Sequence, residues 1–95
     1  MKLWVDDERE PPGTEWKWVQ TVVAGLIRIC NIEEWDAVTE LSLDHDFGAG
    51  QPTGYDLLYC MGRLGLKVPK IIVHSQNPDG KQAMEAFIER MELEG

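Results

Sequence analysis

Hydrophobic and polar positions along the chain fall into a repeated order. Short apolar runs at residues 2–5, 40–43 and 70–73 each end abruptly in ionisable or hydroxyl side chains. Runs this short and this apolar predict buried strands of a parallel sheet. Residues 16–20, Trp-Lys-Trp-Val-Gln, alternate apolar with polar and predict a strand with one face covered. Between the strands lie segments with helical signals. Thr21 is placed as the N-cap of an apolar stretch at residues 22–30. The length of that stretch favours a buried helix, against the weak helix formers Val22, Val23 and Gly25. Thr53-Gly54-Tyr55-Asp56 has the threonine-to-acid spacing of a capping box. Leu57, Leu58, Met61 and Leu64 follow at helical spacing, with Gly65 as the stop. Asn77-Pro78 supplies an N-cap and an N1 proline for a last helix, whose apolar stripe is Ala83, Met84, Phe87, Ile88 and Met91.

The predicted order is strand, strand, helix, strand, helix, strand, helix. It implies an α/β fold of three layers: a mostly parallel four-stranded sheet, flanked on both faces by about three helices joined through right-handed crossovers. No internal repeat, low-complexity tract or long linker divides the chain, so residues 1–95 are expected to form a single domain.

Composition narrows the function. With 43% apolar residues and four tryptophans, the chain can build a core. No apolar run approaches the ~18 residues that suggest a membrane span. The N-terminus turns acidic too early for a signal peptide, so a cytoplasmic location is expected. Cys30 and Cys60 have no metal-ligand spacing and are expected as reduced core residues. Nine basic against seventeen acidic side chains give a formal charge of −8, which disfavours duplex nucleic acid as a partner. A small phosphorylated ligand stays possible where a divalent cation offsets the local carboxylates.

The candidate chemistry lies where the strands end. In open α/β sheets, ligands bind beyond the carboxyl ends of the strands. Asp6, Asp7, Asp44, His45, Asp46, His74 and Ser75 all fall there. Clustered carboxylates repel, and the usual remedy is a hard cation; Mg²⁺ suits two or three carboxylates plus waters. Any one of these acids taken alone is more simply a solvated strand end. The chain has two histidines, both at strand exits, which fits them to divide the roles of general acid and base. The acidic surroundings are expected to raise their pKa values and to favour the acid role for at least one. Arg9, Ser75 and Asn77 are candidate phosphate donors; the plainer readings are a surface ion pair for Arg9 and helix capping for Asn77. Thr53 and Tyr55 are candidate ligand contacts, Tyr55 by stacking on a base, or else a cap and a core ring. The four tryptophans are expected to serve packing.

Asp6-Asp7 after the first strand, Asp44 at the end of a later one and Thr53-Gly54 beyond it resemble a response-regulator receiver domain, a flavodoxin-like fold. That resemblance implies a cation, Mg²⁺ or Mn²⁺, held by Asp7 and Asp44 with Asp6 as a nearer or outer-shell ligand, and Asp44 equivalent to the phosphoryl acceptor. His74 stands where receivers carry Thr or Ser, and no fifth central strand tipped by Lys is present, so the receiver's phosphorylation switch is not implied. Five runs together are more specific: residues 3–9, 18–21, 42–48, 53–56 and 74–80. They resemble the cyclic-phosphate processing receiver-like family, a truncated relative of receiver domains. The resemblance implies processing of cyclic phosphates, such as those left on broken RNA, in bacterial and phage settings. The function expected is therefore a metal-assisted phosphoesterase acting on a cyclic nucleotide or an RNA-terminal 2′,3′-cyclic phosphate, with His45 and His74 as acid and base. The alternatives are a binding module that sequesters such a ligand uncleaved, and a degenerate receiver used for protein interaction.

Overall fold

The computed structural model describes residues 1–31 and 33–94; Ile32 and Gly95 lie outside the described residues. Four strands, β1 (Lys2–Val5), β2 (Trp16–Val19), β3 (Glu40–Leu43) and β4 (Lys70–Val73), form one sheet in the order β2-β1-β3-β4. Every pairing is parallel, in unbroken register: Val5 lies beside Val19 and Leu43, and Leu43 beside Val73. Three helices accompany them: α1 (Val22–Ile29), α2 (Gly54–Leu64) and α3 (Pro78–Glu94). Element types and order match the sequence pattern. The acidic connection before β3 contains a 3-10 turn, Glu34–Asp36.

The predicted caps form. Thr21 Oγ1 accepts the Ala24 amide at 3.0 Å. Thr53 and Asp56 complete a reciprocal capping box at the start of α2, and Gly65 closes that helix in the left-handed conformation, φ 69°. Asn77 Oδ1 accepts the Gly80 amide at 3.0 Å, with Pro78 at the first position of α3.

Side chains alternate across the sheet, and the two faces differ. Leu3, Val5, Leu41, Leu43 and Val73 point to the helices and join Val22, Ile29, Leu57, Leu58, Met61 and Met84 in one core. Burying side chains of this size contributes about 1.5–3 kcal/mol each before entropy is set against it. Trp4, Ser42 and Ile72 share one register row on the other face. The expected helical cover of both faces is thus corrected. α2 packs against both α1 and α3, and the helices share the core on one side. The reason is topological. The crossovers β2-α1-β3 and β3-α2-β4 run the same way along the sheet, so one handedness puts both helices on one face. Only the β1-to-β2 connection, residues 6–15, runs back, and it contains no helix. It covers the upper part of the second face, where Trp4 donates its indole N–H to Arg9 O at 2.8 Å and Trp18 donates to Asp6 O at 2.7 Å. At the lower end Glu40 bridges Lys2 and Lys70, at 3.3 and 3.1 Å.

Several residues expected inside lie at the surface. Val23 and Ile27 of α1 are exposed, so that helix is only half buried. Cys30, its C-cap, is exposed and Cys60 is half-buried; both thiols are free. Leu64 and Ala83 face outward at the edges of their stripes, and Trp35 is 82% exposed, which removes it from the packing tryptophans.

Candidate functional site

The sheet register builds the site. The ladder continues one residue past each strand: Asp6 N–H donates to Val19 O, Asp44 N–H to Val5 O and His74 N–H to Leu43 O, at 3.0–3.1 Å. Asp6, Asp44 and His74 are therefore fixed in a row before any side-chain contact is made. Pleating then turns them to the face of Trp4 and Ser42, while the next residue along β3, His45, turns to the helix side. There its ring lies against Gly80 of α3, where an added Cβ would come within 2.6 Å of the ring.

Asp6, Asp7 and Asp44 each offer a carboxylate oxygen, all within 4.8 Å of one another. Asp6 is only 3% exposed. Its Oδ1 accepts the amides of Glu8 and Arg9 at 2.9 and 2.8 Å, and its Oδ2 meets His74 Nε2 at 2.9 Å. Burial disfavours its charge, but these amides and His74 outweigh it and hold the carboxyl below its ordinary value. Asp44 goes the other way. Burial raises its pKa and the charge of Asp6 adds to the rise, against the opposing bonds from the His45 amide and the Ser75 hydroxyl. One carboxylate is ionised by construction, and its neighbour carries the repulsion. That is the charge balance a divalent cation relieves, and three carboxylate oxygens with room for water suit Mg²⁺ or Mn²⁺.

Beside the cluster is a cleft of about 260 Å³. Five acids line it, Asp6, Asp7, Glu8, Asp44 and Asp46, with Arg9 as the single cation among the lining residues and Gln76 as an amide donor. A phosphate would meet strong repulsion there without a bound cation.

The histidines do not face each other. His74 stacks on Trp4, centroids 3.8 Å apart and planes 8° from parallel, and its Nδ1 lies 2.7 Å from Ser42 Oγ. Both its ring nitrogens are engaged. Contrary to the expected rise, burial lowers its pKa by more than Asp6 raises it. His45 Nδ1 lies 2.8 Å from Asp46 Oδ1, and Asn77 Nδ2 donates to Asp46 Oδ2 at 3.4 Å. Asp46 thus orients His45. Nε2 of His45 has no hydrogen-bond partner among the described residues, which makes it the ring nitrogen available for proton transfer.

Of the remaining candidates, Arg9 lines the cleft, and Ser75 bonds Asp44 while accepting the Asn77 amide at 3.1 Å. Thr53 is occupied by the capping box, and Tyr55 packs edge-on against Phe87 at 5.4 Å; neither lines the cleft. The Thr53-Gly54 pair acts through the backbone instead. Gly54 donates its amide to His45 O at 2.9 Å, and a Cβ at Gly54 would collide with Asp44 O. Glycine lets the first turn of α2 seat directly on the strand exit.

The sequence profile of the cyclic-phosphate processing receiver domain family matches residues 1–90. The chain belongs to this family. No curated protein and no solved structure matches it. Glu8 and Gln76, which line the cleft, and Ser42, which bonds His74 Nδ1, are the residues around the cluster that sequence reasoning passed over. Glu8 and Gln76 sit inside the very runs that carry the resemblance, so proximity to Asp7 and Ser75 was the usable signal. Ser42 was hidden by its apolar neighbours Leu41 and Leu43. Strand alternation, which puts it on the face of Trp4, was the sign that could have separated it.

Proposed function

We propose that the chain is a metal-assisted phosphoesterase that opens a cyclic phosphate, either of a cyclic nucleotide or at an RNA 2′,3′-cyclic end. The observation that carries this reading is the group of three strand-end carboxylates within 4.8 Å, in a domain of the cyclic-phosphate processing family. Asp6, Asp7 and Asp44 would hold Mg²⁺ or Mn²⁺, which when bound supplies Lewis-acid stabilisation of phosphoryl oxygens. Arg9 at the cleft wall adds a forked donor set for a phosphate oxygen.

The reaction adds water to phosphorus and breaks the P–O bond to one ribose oxygen. One water proton ends on the departing alkoxide and the product is a phosphomonoester. His45, held by Asp46, carries a proton at one end of that displacement; solvent serves the other. The test is incubation with 2′,3′-cyclic nucleotides, 3′,5′-cyclic nucleotides and a cyclic-phosphate-ended RNA, with Mg²⁺, Mn²⁺ or EDTA, read by mass. Metal-dependent gain of one water supports the reading; return of every ligand intact with metal present overturns it. A second reading, a binding module for the same ligands, is favoured by the engagement of both His74 nitrogens, which leaves one open imidazole where two were expected. It predicts ligand binding with no mass change.

A further inference from the structure

The unexplained part of the site is the stack beneath Asp6. A nearly buried carboxylate, a half-buried imidazole, a buried hydroxyl and a tryptophan form a continuous chain, although none but the carboxylate lines the cleft. We propose that His74, with Ser42 and Trp4, is a positioning clamp that fixes the orientation of Asp6 toward the cation site. This rests on the metal reading given above.

Each ring degree of freedom has its own restraint. Trp4 fixes the plane of His74 by stacking at 3.8 Å, and Trp4 is itself anchored by its bond to Arg9 O and by an edge contact with Trp16 at 5.6 Å. Ser42, 2% exposed, holds Nδ1 and so fixes rotation within that plane. Nε2 then points at Asp6 Oδ2. Protonation follows from the partners. An ionised carboxylate only accepts, so Nε2 carries the hydrogen, and Nδ1 is left to accept the Ser42 hydroxyl. With Oδ1 tied to the Glu8 and Arg9 amides, Asp6 cannot rotate. Three of its roughly four lone-pair sites are then taken, and the one left, on Oδ2, is available to the cluster shared with Asp7 and Asp44. A carboxylate steadied in this way loses little freedom when it takes up a cation, as outer partners of metal ligands generally ensure.

The test compares the wild type with His74→Ala, His74→Gln and Ser42→Ala. Mn²⁺ affinity is read by calorimetry, metal-free melting by circular dichroism, and the His74 tautomer by ¹⁵N NMR. The expected results are an Nε2–H tautomer in the wild type and Mn²⁺ affinity weakened about 10–100-fold in His74→Ala. His74→Gln, whose amide can still donate to Asp6, should recover most of that affinity. Ser42→Ala, which keeps the ring, should shift the tautomer population and weaken Mn²⁺ binding with melting little changed. A purely structural stack would lower melting in all three variants and leave the affinity of the folded fraction alone. Wild-type affinity in folded His74→Ala or in Ser42→Ala overturns the clamp while leaving the metal reading standing. Absence of Mn²⁺ binding by the wild type overturns the metal reading and the clamp with it.

Discussion

Asp44 is under opposite demands from folding and from function. Burial and the charge of Asp6 raise its pKa, so at neutral pH the metal-free fold carries an unfavourable charge at this strand end. Asp44→Asn should therefore raise the melting temperature in EDTA by a few degrees and abolish any further rise on adding Mg²⁺, both measurable in a thermal shift series. On the proposed mechanism, His45→Ala should lower turnover of a cyclic phosphate by a factor on the order of 100, with melting nearly unchanged because the ring lies outside the hydrophobic core. At this scale the sequence was informative about charge and poor about direction. Three acids at strand ends were legible because apolar runs stop at them. That His74 faces away from His45 was not, because one residue of pleat decides it, and it became visible only once the β3–β4 register placed His74 beside Asp44.

Elements were legible wherever capping chemistry and periodicity agreed, as for α2 and α3. What the pattern left open was the side on which helices pack. That follows from strand order, and strand order depends on β2 pairing with β1 across a helix-free connection, a tertiary choice with no local signal. α2 and α3 carry the site's second face, and their glycines are the sensitive points. Gly80→Ala improves helix propensity by roughly 1 kcal/mol but drives a methyl into the His45 ring. The expected outcome is unfolding stability near that of the wild type with turnover reduced, a split that denaturant titration and a mass assay on one preparation would reveal. Thr53→Ala removes the capping box at a residue that does not line the cleft. It should cost about 1 kcal/mol of stability and leave KM unchanged.

In a molecule of formal charge −8, five acids line the cleft at the carboxyl end of the sheet, while the opposite end is tied by the Lys2–Glu40–Lys70 bridge. The two ends respond to acid with opposite sign. Lys70 and Lys2 together hold Glu40 below its ordinary value against the opposing effect of burial, so its contribution is present above the unfolded pKa of about 4.5 and is lost as pH falls through the lower, folded value. Asp44 has a folded pKa above its unfolded one. Between the two the folded state binds more protons, so its contribution is favourable in acid and is lost as pH rises through the folded value. In EDTA, melting temperature should therefore pass through a maximum on the acid side of neutrality. Glu40→Gln should flatten the acid limb, and Asp44→Asn should flatten the fall toward neutral pH. Saturating Mg²⁺ should remove that fall in the wild type, because the cation replaces the proton as the partner of Asp44. If Mg²⁺ leaves the neutral limb of the curve unchanged, the carboxylate cluster is a strained strand end and not a cation site.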